Sequence, residues 1–584
     1  MLADPITSIP GLLTVADPGT QLEVQADSQG AILTVSAADG RPGLRFEVDL
    51  DTAVGYWQPG IRADRALPAD WLAPQITSLV RSAPIGVLYD AAGTSLLGWA
   101  AGEAVAELSV RAGASEEGKS FVVEVRSVRP LAGDLVIVLD GTRSTLTKTV
   151  ERLAQWLSSH CEGDPLVPPP SARVPVYSTW YTFTQDIDDE LVCSEAAHAA
   201  ELGCGSVFID DGWQLHGQGR GYQGCGDWVP DAAKFPDLRG TIATIHGHGL
   251  AAALWVAPLL LGEQSEAFSR LKQFAPFLLS STNSYVLDPR HHEVRTFVAE
   301  TCCRLVTSYD VDLLKIDFLD VAMVYGDAIS SGGDLDDVGQ AMAAMLGQLR
   351  QALADAGRPQ VAFEFRQPYV SPALSRSGAI LRASDCPADA HQNRVATVDS
   401  RLVAAGRVIH ADPMMWGRAG AAVAVAQQLY AGWFAVPQIS MRLSDLDESQ
   451  APALRGLLTL WRDQSDVTLS GVLTVAGAER GYDVVRAVRA DIGRSVVARY
   501  SSVVVDLDEA PTPEVSLLNA TPDGRIAVRT SRPILRGIVR DAAAARTGGL
   551  EPTGTGLVDL VVPPFGSATL SFCDLPHTSA ERSR

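Results

Sequence analysis

The chain has no lysine or arginine run long enough to make a basic face. Its 47 Lys and Arg against 69 Asp and Glu give a net charge of −22 and a pI near 4.9, which excludes a partner as anionic as nucleic acid. No apolar stretch reaches the roughly 18 residues of a transmembrane helix, so no membrane partner is expected. The N-terminal stretch MLADPITSIPGLLTVADPG has no basic segment and carries an early proline, unlike a secretory signal. The eight cysteines, Cys161, Cys193, Cys204, Cys225, Cys302, Cys303, Cys386 and Cys573, form no C-x-x-C pair and no metal-ligand spacing. They read as reduced thiols of a cytoplasmic protein rather than a disulfide framework. No internal repeat or low-complexity tract stands out. With 46% hydrophobic and 20% charged residues, disorder is not the default either.

At 584 residues the chain is too long for one core, and about two to four domains are expected. Residues 1–165 show short alternating strands such as Ala31-Ile32-Leu33-Thr34-Val35 and Phe121-Val122-Val123-Glu124-Val125, separated by Gly, Asp and Ser. This predicts an N-terminal β-sandwich, followed by a linker helix over Thr147–His160 and the stiff Val167-Pro168-Pro169-Pro170. Residues 166–472 alternate strand and helix. Eight apolar strands are predicted at Val174–Trp180, Ser206–Asp210, Ala251–Val256, Leu313–Phe318, Gln360–Arg366, Ala379–Ala383, Arg407–His410 and Gln438–Met441. That is the number of a (β/α)8 TIM barrel. The alternative, an open doubly wound sheet, needs a Gly-rich phosphate loop after its first strand, and none is present. Residues 473–584 return to β-rich segments, consistent with a small C-terminal β-sandwich. The fold class expected is therefore a multidomain β and α/β protein around a central barrel.

In such barrels the reacting groups stand at the carboxyl ends of the strands. The most informative end is Leu313-Leu314-Lys315-Ile316-Asp317-Phe318-Leu319. Lys315 and Asp317, at i and i+2 of a strand, share a face, and desolvating that charge costs several kcal/mol unless it is compensated. A structural ion pair is one reading. The other is chemistry, with Lys315 lowering the pKa of Asp317 to keep a nucleophile ionised. A second carboxylate, Asp385, ends Ile380-Leu381-Arg382-Ala383-Ser384-Asp385, and two carboxylates from different strands are what glycosidic-bond cleavage requires.

Other strand ends add binding candidates. Asp210 and Asp211, in Phe208-Ile209-Asp210-Asp211-Gly212-Trp213, suit neighbouring sugar hydroxyls, or one of them caps the next helix. Trp255 offers an aromatic wall or packs in the core. Glu364 and Arg366 share a face and either bind hydroxyls or neutralise each other. Arg382 stands near Asp385, and His410 and Asp412 read as supporting residues. His246-Gly247-His248 falls in a helix-to-strand turn, so no metal site is expected from it. His291-His292 reads as the solvated start of a helix.

Taken together, Ile209-Asp210-Asp211-Gly212-Trp213, Gly226-Asp227-Trp228, Lys234-Phe235-Pro236, Leu254-Trp255, Tyr285-Val286-Leu287-Asp288, Leu314-Lys315-Ile316-Asp317-Phe318-Leu319, Arg382-Ala383-Ser384-Asp385 and Val436-Pro437-Gln438-Ile439-Ser440 resemble glycoside hydrolase family 36, the α-galactosidase and raffinose-synthase-related family. The resemblance covers most of the chain. It implies Asp317 as nucleophile, Asp385 as acid/base, and Asp210, Asp211, Trp255, Lys315 and Arg382 around the sugar. It also implies a tryptophan from the N-terminal β domain, with Trp57 in Gly55-Tyr56-Trp57-Gln58-Pro59 as the candidate. Many family members carry a Cys- and Gly-containing segment after the fifth strand. Here Glu364-Phe365-Arg366-Gln367 stands in its place, which bears on galactose specificity.

The function expected is a retaining exo-α-glycosidase, α-galactosidase-like, acting on a small oligosaccharide or α-glycoside without a cofactor. Hydrolysis of isomaltose-type α-glucosides, α-glycosyl transfer and a sugar-binding pseudoenzyme are the alternatives. A homo-oligomer is left open, and with it whether Trp57 serves its own subunit or a neighbour's. For Asp385 to work as an acid near neutrality it must hold its proton, and burial would do this.

Overall fold

The computed structural model of the protein describes residues 9, 11–60, 65–326 and 332–572. It divides into two compact units. The first takes in 1–387, 395–413 and 436–444, and the second 388–394, 414–435 and 445–584.

The first unit begins with two antiparallel sheets of five and six strands. Their strands alternate as the sequence does. In Gly43–Asp49, Leu44, Phe46 and Val48 point inward while Arg45 and Glu47 do not, the period of two that lets one face be buried and the other wet. Leu33, Val35, Phe46, Trp99, Phe121 and Val123 meet in one core.

The same unit then forms an eight-stranded parallel sheet. Its strands are β1 (Val176–Ser178), β2 (Ser206–Ile209), β3 (Ala251–Val256), β4 (Leu313–Ile316), β5 (Ala362–Arg366), β6 (Ile380–Arg382), β7 (Val408–His410) and β8 (Gln438–Ile439). From β1 to β7 each pairs with the next in sequence. β8 returns to β1 through Val176 opposite Gln438, and a bridge from His410 to Val436 joins the seventh and eighth turns of chain. The ring is nearly closed, so the open-sheet alternative falls away. These strands read as unbroken apolar runs because a parallel barrel buries both faces. Predicted ends either match or are long by one or two residues; the largest loss is on β1, two residues shorter at each end, where Trp180–Phe183 coils into a helical turn.

Helices lie between strands as expected: α1 (Asp189–Glu201) after β1, α2 (Leu238–Gly247) after β2, α3 (His292–Tyr309) after β3 and α4 (Val338–Asp355) after β4. Aspartates start three of them. Asp188, Asp237 and Asp337 accept from the backbone N–H of Leu191, Gly240 and Gln340, satisfying donors that the first turn leaves open.

The second unit contains a seven-stranded and a three-stranded sheet, whose facing residues, among them Val497, Leu517, Ile526, Val528 and Leu570, form one core. Among the described residues no helix is long and apolar enough to cross a membrane. None of the seven described cysteines is joined in a disulfide, and Cys573 lies outside the described residues.

Candidate active site

Asp317 follows directly on β4 and is buried. Its Oδ1 accepts from Arg366 Nε at 2.5 Å and from the N–H of Phe318 at 2.7 Å, and its Oδ2 accepts from Trp255 Nε1 at 3.2 Å. Phe318 takes φ +55°, costly for a bulky residue, and this turn brings its own amide back onto the carboxylate. Burial alone would push the Asp317 carboxyl up. Arg366 foremost, then Lys315 and Arg382 from farther off, reverse this and hold it well below the usual carboxylate range. Lys315 thus helps to lower the Asp317 carboxyl, as expected, but does so without touching it. Lys315 Nζ reaches across the barrel to Asp210 Oδ2 at 2.5 Å, and the cation touching Asp317 is Arg366.

Glu364 and Arg366 were expected to face the sugar or to neutralise each other, and they do not pair. Arg366 goes to Asp317 and, at 3.4 Å, to Asp320. Glu364 Oε2 instead lies 2.7 Å from His410 Nδ1 and accepts from Gln438 Nε2 at 2.6 Å, with Arg382 Nε 3.5 Å from its Oε1. Its carboxylate is turned to β6, β7 and β8 inside the barrel, since the register sets Lys315 opposite Glu364 and leaves only the next inward position, Arg366, level with Asp317.

Asp210 and Asp211 are both buried, and neither caps a helix. The Oδ1 of Asp210 accepts from the N–H of Asp211 at 2.9 Å. The carboxylate of Asp211 accepts from Gln185 Nε2 at 2.7 Å and Gln214 Nε2 at 2.6 Å. Burial pushes the Asp211 carboxyl up to about 6 despite those two amides. The loop that carries Gln185 fits because residue 212 is glycine. Its φ is +119°, and a Cβ there would stand 2.6 Å from the Gln185 backbone. Lys234 Nζ then ties the carbonyls of Gln185, Gly212 and Gly217 together.

Asp385 departs from expectation. Its side chain is 51% exposed rather than buried, because the loop after β6 carries it outward, and its Oδ1 accepts from Arg382 Nη1 at 2.9 Å. Arg382 is buried, and the same Nη1 donates to Asp412 Oδ1. Trp57 also departs. It is fully buried, with its indole N–H donating to Asp399 Oδ1 at 3.1 Å and Arg65 stacked 5.8 Å from its ring, so it presents no open face to a sugar. His246, in the decoy H-x-H, pairs with Asp312 at 2.8 Å, and no group of three or more potential metal ligands occurs among the described residues.

Sequence reasoning missed several neighbours. Tyr222 packs against both Trp255 and Phe318. Trp180, partly exposed just after β1, has Arg220 5.8 Å from its ring. Tyr369 accepts from the N–H of Leu319 at 3.0 Å. The only signal for them was position near strand ends.

The barrel thus sets two aspartates, Asp317 and Asp385, just beyond the ends of β4 and β6. Residues 171–353 match the Melibiase family model. One relative, "Alpha-galactosidase 2" of Pediococcus pentosaceus, is 30% identical over 156 residues, 26% of this chain and 22% of the relative. "Alpha-galactosidase AgaA" of Geobacillus stearothermophilus is 27% identical over 146 residues, 24% of this chain and 20% of that one. The matching stretch thus spans about a fifth of these relatives' length. Among solved structures, the family 36 α-galactosidase AgaB of Geobacillus stearothermophilus is similar with a TM-score of 0.63 at 15% identity, covering 98% of this chain and 85% of that one. An α-galactosidase of Thermus thermophilus is similar at 0.57 and 17%, covering 82% and 96%. Residues 171–353 are similar to the melibiase family, and the chain has a fold similar to that of the solved family 36 α-galactosidases.

Proposed function

We propose that the protein is a retaining, exo-acting α-glycoside hydrolase whose substrate is a terminal α-linked galactose on a small oligosaccharide or glycoside. One observation carries this reading: a buried carboxylate held ionised at the end of β4, with a half-exposed carboxylate just beyond β6, both felt by the same two arginines, Arg366 and Arg382.

In the first step an oxygen of Asp317 attacks the anomeric carbon while the bond to the aglycone oxygen breaks and Asp385 gives that oxygen its proton. In the second, Asp385 takes a proton from water, the water oxygen attacks the anomeric carbon, and Asp317 leaves. Two inversions retain configuration, and the chemistry suits carboxyl groups about 5–5.5 Å apart. The positive charge that develops on the ring is met by Asp317 itself with Asp210 and Asp211 nearby.

Galactose as the sugar rests on the likeness to α-galactosidases, one solved with raffinose and one with p-nitrophenyl α-D-galactopyranoside. A second reading, the same chemistry on α-glucosides, is favoured by Arg366 standing where many family members have a Cys- and Gly-containing segment. A panel of p-nitrophenyl α-glycosides decides between them, with turnover of the galactoside expected. For the mechanism, Asp317→Ala should lose turnover while remaining folded, and added azide should restore cleavage and yield a glycosyl azide of inverted configuration. A folded Asp317→Ala protein with near-wild-type turnover would sink the mechanism.

A further inference from the structure

Asp385 is exposed, yet the backbone on both sides of it is pinned from the interior. The N–H of Ser384 donates to Gln367 Oε1 at 3.1 Å, and the N–H of Cys386 donates to Asp412 Oδ2 at 2.8 Å. Both acceptors are buried, and each comes from a different strand end, Gln367 after β5 and Asp412 after β7. Each is in turn held at its other end. Gln367 Nε2 donates to the carbonyl of Gly60 at 3.0 Å. Asp412 accepts from Tyr181 Oη at 2.8 Å and from Arg382, the residue whose Nη1 also touches Asp385.

A small shift of this loop would strand buried polar groups, which is unfavourable. Two such acceptors on consecutive flanks of one residue fix the Cα–Cβ direction of that residue while leaving its carboxyl group open to solvent and to a leaving group. Proton transfer is efficient only when the acid lies within hydrogen-bond reach of the atom it serves, so direction matters more for Asp385 than enclosure does.

We propose that Gln367 and Asp412 are positioning residues that act through Asp385, clamping the peptide units before and after it so that its carboxyl group is aimed at the glycosidic oxygen. This deepens the reading of Asp385 as acid/base and rests on it. It also gives the departure from the family pattern a role. The segment that replaces the Cys- and Gly-containing stretch supplies Arg366 to the nucleophile and Gln367 to the acid/base.

The test is a series of α-galactosides with leaving groups from 2,4-dinitrophenol to a simple alkanol, hydrolysed by the wild type, Asp385→Ala, Gln367→Met and Asp412→Asn. The first-step rate would be followed by single turnover and folding checked by circular dichroism. An activated phenol leaves without a proton and an alkanol does not, so a misaimed acid harms only the latter. Gln367→Met and Asp412→Asn should each lose about tenfold or more on the alkyl galactoside and less than about threefold on the dinitrophenyl one. The alkaline limb of their kcat/KM profile should flatten as it does in Asp385→Ala. Equal losses across the series in either folded variant, with Asp385→Ala still steep, would overturn the clamp and leave a structural role. A flat series in Asp385→Ala itself would overturn the acid/base reading, and the clamp with it. Asp412 shares a buried ion pair and its variant is the one more exposed to misfolding; Gln367→Met alone then decides.

Discussion

The two carboxylates of the site are held in opposite ways. Asp317 is fixed through its side chain: both oxygens are hydrogen-bonded, a guanidinium lies against it, and an unfavourable φ at Phe318 turns a backbone amide onto it. Asp385 is fixed through its backbone, with amides on either side caught by Gln367 and Asp412 and, among the described residues, only Arg382 bonded to its side chain. A nucleophile must be ionised and must not move, and a rigid charged cradle provides both. An acid/base must give up a proton and take one from water in each turnover, and a fully bonded side chain would prevent the exchange. The difference teaches that, in this barrel, preorganisation of one catalytic group is electrostatic and of the other geometric.

Breaking the Asp317 side has the largest expected effect. Asp317→Ala should cost on the order of 10⁴-fold or more in kcat, read in a standard assay with azide present and absent. Asp385→Ala should cost about 10²–10⁴-fold on alkyl galactosides and much less on activated ones. Arg366→Met sharpens the contrast, since it takes away the cation that touches Asp317 and leaves Asp385's backbone clamp in place. Because Arg366 is the first cause that lowers the Asp317 pKa, the acidic limb of kcat/KM should move to higher pH, while the leaving-group series should keep its wild-type slope. Asp211→Ala comes next, with about 2–4 kcal/mol less transition-state binding if a sugar hydroxyl shares the carboxylate with Gln185 and Gln214. An unchanged ranking of deoxygalactosides would restrict Asp211 to holding those two amides.

The smallest effect is on stability against pH. Asp211 and Asp412 are pushed by burial up to about 6 and about 7, above the value near 3.9 of an unfolded aspartate. The folded chain therefore binds more protons than the unfolded one between those values, and their joint contribution makes the protein less stable as pH rises from about 4 to about 7. Asp317 has the opposite sign. Its folded pKa is depressed, so the stability it contributes is present above about 4 and is lost as pH falls below that. Thermal unfolding of wild type and Asp412→Asn over pH 4–8 would separate them, with a flatter profile expected in the variant.

What the sequence disclosed follows from what repeats along a chain. The eight strands were legible because burial on both faces writes them as apolar runs, and Asp317 and Asp385 because acids at the ends of such runs are conspicuous. The partners were not legible, because they are decided across strands. Arg366 lies 49 residues from Asp317, and only the register that sets Lys315 opposite Glu364 brings it there; read along the strand alone, Lys315 looks like the neighbour. Exposure was illegible for a similar reason. Trp57 and Asp385 carry the right side chains for a sugar platform and a buried acid, but burial depends on what other segments cover. Here Arg65 and Asp399 cover Trp57, and no such cover lies over Asp385.

The join between the last and first strands has a mechanical consequence. β8 has two residues and meets β1 at two positions, and only a bridge from Val436, just before β8, joins it to β7, whereas β3 and β4 match at four. The missing backbone ladder is replaced by a side chain: Ser440 Oγ accepts from the amides of Tyr181 and Thr182 and donates to the carbonyl of Ser178. A hoop yields where its band is thinnest, so amide hydrogen exchange should be faster at Tyr177, Ala411 and Val436 than at Leu254 and Leu314, and Ser440→Ala should widen the gap. Tyr181, one of the residues on that rivet, also holds Asp412. Loosening the seam with Ser440→Ala should therefore also slacken the hold of Tyr181 on Asp412, the residue on which the proposed clamp of Asp385 depends.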